Sequence, residues 1–135
     1  MPQRSRLEQQ FAARWGVRYP ELPPTREHVL PAWQAWAQDL KRRGLRRRSV
    51  PMRADFAWPA ARVALEIQGG TWVKSGHSSG RGIERDCIKA LLAQSDGWAL
   101  VAVTDAMLCR QTDIWLPMLA VLIRSRLPLH STDAC

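Results

Sequence analysis

A chain of 135 residues holds one compact α/β domain and little beyond it. With 46% hydrophobic residues it can bury a core, which excludes a disordered chain, and no apolar run nears the roughly 20 residues a membrane span needs. Lys and Arg number 20 against 12 Asp and Glu, and the net charge of +8 favours a polyanionic partner, nucleic acid first. No charged-then-apolar leader opens the chain, so the expectation is a soluble, cytoplasmic protein with no membrane partner. Cys87, Cys109 and Cys135 are odd in number and widely spaced, a pattern unlike a zinc site, and Cys87 reads as a core residue.

In chain order, Arg4 to Trp15 is an amphipathic helix with Leu7 and Phe11 at helical spacing, and Gly16 is its expected end. Residues 17–30, with Pro20, Pro23 and Pro24, read as an extended connection. Pro31 suits the first turn of a second helix reaching about Arg43, with Trp33, Trp36, Ala37 and Leu40 on one face and Gly44 as its stop. The run at residues 41–48, KRRGLRRR, carries six basic side chains in eight positions. Lys41, Arg42, Arg43, Arg46, Arg47 and Arg48 are therefore candidate contacts to a phosphate backbone; the plain alternative is a solvated loop.

Residues 52–58 (MRADFAW) and 62–68 (RVALEIQ) alternate as strands around a turn at Pro59-Ala60-Ala61. Val63, Leu65 and Ile67 face the core in this reading, and Ala64, Glu66 and Gln68 share the other face. A glycine- and serine-rich loop follows from Gly69 to Gly82, then a helix from about Gly82 to Ser95 with Ile83, Cys87, Ile88, Leu91 and Leu92 apolar. Asp96-Gly97 stops that helix, and residues 98–104 (WALVAVT) form a buried strand. Strand, helix and strand from 62 to 104 imply a parallel pair. A largely apolar helix from about Asp113 to Arg126 closes the fold, with residues 1–128 as a single domain and 129–135 as a loose tail.

The hairpin turn sets Asp55 across from Glu66, where opposed Cβ atoms sit about 4.5–5.5 Å apart. Like charges so close are unfavourable without a cation between them, and an all-oxygen set suits Mg²⁺, with Mn²⁺ as a substitute. Such an ion polarises a phosphoryl oxygen. The pair reading requires both carboxylates on one side of the sheet; the bland alternative is two acids on a solvated face.

Asp55 followed eleven residues later by Glu66-Ile67-Gln68, in strand–strand–helix–strand order, resembles the PD-(D/E)XK nuclease core. The longer run from Arg53 to Thr104, with RADFAWP, LEIQGGTW, GHSSGRG and the helix bearing Asp86 and Lys89, is similar to small phage-type endonucleases, some junction-resolving. It is more distantly similar to very-short-patch repair endonucleases. The resemblance implies a restriction-endonuclease-like α/β fold, a central mixed sheet flanked by helices, in a bacterial or phage-infected cell. It implies Asp55 and Glu66 as metal ligands, with the carbonyl of Ile67 as a third. Gln68 stands where the family usually has a lysine, and would place the water without supplying charge; Lys74 or Lys89 is a candidate for that charge, though each reads first as a surface lysine.

By the same resemblance Glu8 completes the metal shell from the first helix. His77 is a candidate general acid or phosphate contact, and Trp72 a candidate for stacking on a base. The function implied is hydrolysis of phosphodiesters in branched or structured DNA, four-way junctions included, by a homodimer. Three other readings stay open beside it: a nucleic-acid-binding module without catalysis, marked by Gln68, a basic structural or adaptor protein that binds an acidic partner, and a mismatch-nicking repair enzyme.

Overall fold

The computed structural model describes residues 3–45, 52–68 and 80–128. Helix α1 (Gln3–Arg18) leads to strand β1 (Thr25–His28), helix α2 (Pro31–Arg42) and strand β2 (Ala54–Trp58). A single 3-10 turn (Pro59–Ala61) joins β2 to β3 (Val63–Gln68), followed by α3 (Gly80–Ser95), β4 (Ala99–Thr104), α4 (Asp105–Arg110) and α5 (Thr112–Arg126). The four strands form one mixed sheet in the order β1-β2-β3-β4, antiparallel except for the parallel β3–β4 pair. This is the α/β architecture, a mixed sheet flanked by helices, that the sequence predicts. No helix among the described residues is long and apolar enough to cross a membrane.

Both sheet faces are covered. On one, Leu7, Phe11 and Trp15 of α1 and Trp115, Leu116, Leu119 and Ile123 of α5 enclose Phe56, Trp58, Val63, Leu65 and Ile67. Phe11 is the hub: its ring lies 4.6 Å from Phe56, 5.7 Å from Trp15 and 6.0 Å from Trp115. On the other face, Trp33 and Ala37 of α2 are buried, and Trp33 packs with Ala93 of α3, Ala57, Ala64 and Trp98. The face carrying Ala64 and Glu66 is thus a second core rather than a solvated surface, which is why residues 63–67 are all buried.

Helix ends show what local sequence can and cannot dictate. Gly44 has φ +71; its N–H bonds Lys41 O at 3.0 Å and the Leu45 N–H bonds Leu40 O at 2.9 Å, a Schellman closure of α2. Gly97, at φ +76, closes α3 the same way through Trp98 N–H to Ala93 O at 2.8 Å. Gly16 does not end α1 as expected; the helix continues to Arg18, because Gly16 is not left-handed and Tyr19 N–H still reaches Trp15 O at 2.7 Å.

Three further expectations change. The connection 17–30 contains β1, which pairs with β2 through Thr25↔Ala57, Arg26↔Phe56 and His28↔Ala54. The proline segment before it is pinned by Leu22 O, which accepts from Trp15 Nε1 at 2.7 Å and Trp58 Nε1 at 2.9 Å. Helix α4, unanticipated, starts at Thr104, whose hydroxyl accepts from Met107 N–H at 3.2 Å. On α3 the buried residues are Lys89 and Ala93, so Cys87, Ile83 and Leu91 are exposed and Cys87 is not a core residue.

Candidate metal centre

The 3-10 turn ends at Arg62 in the left-handed region (φ 53), and the hairpin register it sets is Phe56↔Leu65, Ala57↔Ala64 and Trp58↔Val63. The paired register ends at Phe56↔Leu65, and beyond it the Ile67 N–H donates to Asp55 Oδ2 at 2.8 Å. The amide of Ile67, rather than its carbonyl, is therefore what the structure links to this carboxylate. Asp55 is 3% exposed, and a buried carboxylate stays charged only with donors or cations around it.

Asp55 is joined by two further acids. Glu8 from α1 and Glu27 from β1 bring carboxylate oxygens within 4.8 Å of one another and of Asp55. The Arg26 guanidinium stands 3.7 Å from Glu8 Oε2 and partly offsets the charge. Glu27 holds φ 51, a left-handed backbone that a non-glycine residue adopts at a cost of about 1–2 kcal/mol. Strain of that kind is retained where surrounding contacts impose it, and here it occurs at a residue whose side chain joins a carboxylate cluster.

Glu66 is held differently. Its carboxylate forms a buried ion pair with Lys89 Nζ of α3, both side chains being 8% exposed. Lys89 also donates to Arg53 O at 3.0 Å and lies 4.9 Å from the Trp33 ring centre, while Trp33 Nε1 donates to Lys89 O at 3.1 Å. Lys89 is thus buried, not the surface lysine expected, and it pairs with Glu66 rather than with Asp86, which is exposed. The partners of Asp55 and Glu66 come from opposite layers: Glu8 from the α1 side, Lys89 from the α2/α3 side. The geometry joins Asp55 to Glu8 and Glu27; it joins Glu66 to Lys89.

Gln68, exposed, ends β3 alongside Thr104 of β4. On β1, His28 stacks on Trp98 with centroids 5.6 Å apart, and burial holds its pKa below the ordinary 6.5. Lys41 and Arg42 line an open groove of about 710 Å³ with Ala35 and Gln38, and Arg42 and Arg43 both pair with Asp39, at 3.0 and 2.9 Å. Arg46, Arg47, Arg48, Trp72, Lys74 and His77, and the tail 129–135, lie outside the described residues. Glu27 and Arg26 were missed by sequence reasoning, since TREH is a short, mostly exposed edge strand without apolar alternation.

No protein-family model matches the chain, and no curated protein sequence matches it. Among solved structures, the catalytic domain of the homing endonuclease I-Bth0305I is similar, with a TM-score of 0.60 and 13% identity over 90% of this chain and 97% of that one. At that identity the likeness is one of fold.

Proposed function

We propose that this protein is a metal-dependent DNA endonuclease whose cation sits among Glu8, Glu27 and Asp55. The observation that carries the reading is this cluster of three carboxylates inside a chain of net charge +8. The fold, similar to an endonuclease catalytic domain, adds support. Three hard oxygen donors without nitrogen or sulfur suit Mg²⁺ or Mn²⁺, and their mutual repulsion favours an ion over an empty site. Bound there, the cation polarises a phosphoryl oxygen and makes water more acidic.

The chain's own residues supply the rest. The Ile67 N–H fixes the Asp55 carboxylate, and Arg26 limits the charge that Glu8 brings. Gln68, at the open end of β3, orients the attacking water through its amide. Glu66 is held through Oε1 by Lys89, and in this reading the Glu66–Lys89 pair braces the strand that carries Gln68. Lys41, Arg42, Arg43 and the arginines at 46–48 grip the phosphates. With about six phosphates neutralised, log K falls against log salt with a slope near −5. Branched or structured DNA is the proposed substrate, cut by a homodimer, with His77, Lys74 and Trp72 contributing from the segment after β3.

The test is cleavage of plasmid, linear, flapped and four-way DNA in Mg²⁺, Mn²⁺ or EDTA, by wild type and Asp55→Asn. Cutting that needs the metal and is lost in Asp55→Asn supports the reading. Binding without cutting in any metal replaces it with the non-catalytic module, which the uncharged Gln68 favours, and cutting only at a mispair replaces it with the repair enzyme.

A further inference from the structure

Ile114, Met118 and Val121 follow one another at helical spacing on α5, and each is 65% exposed. Trp115, Leu119 and Ile123, on the opposite side of the helix, are buried in the core. We infer that the exposed stripe is where a second copy of this chain docks, the two α5 helices lying antiparallel across a two-fold axis. The inference rests on the homodimer of the reading above and deepens it by naming its surface; it does not depend on the cleavage chemistry.

The apolar part comes first. Single exposed apolar side chains are ordinary, but a contiguous stripe rimmed by charge marks a surface that meets another molecule. From Ile114 to Val121 the stripe spans about two turns, roughly 10 Å of helix. That falls well short of the about 800 Å² per partner that a stable interface buries, so the pair is of the weak, concentration-dependent class.

Charge selects the occupant. Asp113 and Arg124 lie in the first and last turns of α5, close to a whole number of turns apart, so they project from one flank of the stripe. Each pairs with a residue at or just beyond the end of α1, Asp113 with Arg18 at 3.7 Å and Arg124 with Glu21, yet Asp113 is 99% exposed and Arg124 about half exposed. A two-fold axis across the stripe sets the same flank of both helices side by side and reverses their direction. With the axis at Met118, Ile114 of each copy meets the turn at Val121 and Leu122 of the other. Asp113 then comes within about one residue, ~1.5 Å along the axis, of Arg124 of the other copy. The stripe is complementary to itself in this antiparallel sense, and the two helix dipoles oppose favourably. A parallel pair sets Asp113 against Asp113 and Arg124 against Arg124. Exposed charges of this kind fix orientation more than affinity.

Position makes the surface separable from the metal centre. The clustered carboxylates come from α1, β1 and β2, and α5 contributes none of them. Substitutions along the stripe therefore alter association without replacing a ligand of the proposed ion.

The experiment is sedimentation velocity of the full chain without DNA, from about 5 to about 500 µM. A reducing buffer keeps the exposed Cys87 and Cys109 from cross-linking. Wild type is expected to move from the mass of a single chain toward twice that mass. Met118→Glu and Ile114→Lys, at exposed positions, are expected to stay single with the circular dichroism of wild type, and each covers the case where the other does not fold. Asp113→Arg and Arg124→Asp each weaken self-association about tenfold, and an equal mixture of the two restores it, because both ends then meet their opposites. A wild type that stays single throughout assigns the stripe to an unlike partner and overturns the proposal, as do stripe variants that associate like wild type. A mixture that fails to recover overturns the antiparallel arrangement. Plasmid cleavage in Mg²⁺ is read alongside: association without cutting sinks the nuclease reading alone, and cutting by a chain that never associates sinks the docking surface alone.

Discussion

Replacing Asp55 with Asn separates a functional carboxylate from a structural one. Its oxygens lie within 4.8 Å of those of Glu8 and Glu27. At that separation two unit charges repel by about 0.9 kcal/mol in water and about 3 kcal/mol at the effective dielectric of a protein surface. Glu27 is exposed and Arg26 stands by Glu8, so the relief per pair falls toward the lower figure. Asn keeps an oxygen that accepts from the Ile67 N–H, so the hydrogen bond at 2.8 Å survives in weakened form. The net expectation is a metal-free Asp55→Asn protein about 1 kcal/mol more stable than wild type, or about 3–5 °C in Tm for a chain of this size. Wild type, by contrast, gains about 1.4 kcal/mol from Mg²⁺ at ten times its Kd, and the variant gains nothing. Thermal unfolding by circular dichroism, with and without Mg²⁺, reads both effects. A variant less stable than wild type, with its Tm still raised by the ion, would refute the repulsion argument and the ligand assignment together.

Other perturbations follow from the same coordinates. Lys89→Met strands a buried Glu66 carboxylate and leaves Arg53 O without its donor, so urea unfolding should show a loss of about 3–5 kcal/mol, largely restored by adding Glu66→Gln. An unrestored double variant would show that the ion pair is not the cause. Gly97→Ala forces a side chain into φ +76 and sets its Cβ 3.2 Å from Arg62 Nη1, whereas Gly44→Ala at φ +71 meets no atom within 4 Å. Both lose about 1 kcal/mol to the backbone, and equal Tm losses would mean that the Arg62 contact costs nothing. Because burial lowers the pKa of His28, the unfolded chain takes up that proton first as pH falls. Its stability contribution is complete above the ordinary value of 6.5 and declines below it; Tm measured from pH 7 to 5 should fall less steeply in His28→Gln. An identical slope would assign the acid sensitivity to other groups.

Much of the fold was legible because the signals were local. Pro31 and Gly44 bracket α2, Asp96-Gly97 closes α3, and the register about Pro59–Ala61 follows from the spacing of apolar residues on two strands. Helix α1 was readable from Leu7, Phe11 and Trp15 on one face. Strand β1 was not, because an edge strand of four polar residues owes its form to pairing with β2 rather than to its own sequence. That loss carried Glu27 with it. Asp55 was read as a ligand from its place on the hairpin and Glu8 from the resemblance, and the structure brings the two together. Glu66 was read from the hairpin pairing and the same motif, and the contact it makes depends on a lysine 23 positions later whose ammonium group lies over the Trp33 ring. Periodicity marks Lys89 as surface; only the packing of α3 on α2 shows that its ammonium group has gone inside.

Mn²⁺ binding in the absence of DNA, followed by the electron-paramagnetic signal of the free ion, tests the metal assignment most directly. Wild type and Glu66→Gln should bind the ion with similar affinity, and the combined Glu8→Gln, Glu27→Gln, Asp55→Asn protein should bind none at that site. Binding that persists in the triple variant and vanishes in Glu66→Gln would contradict the account and return the ion to the Asp55–Glu66 pair.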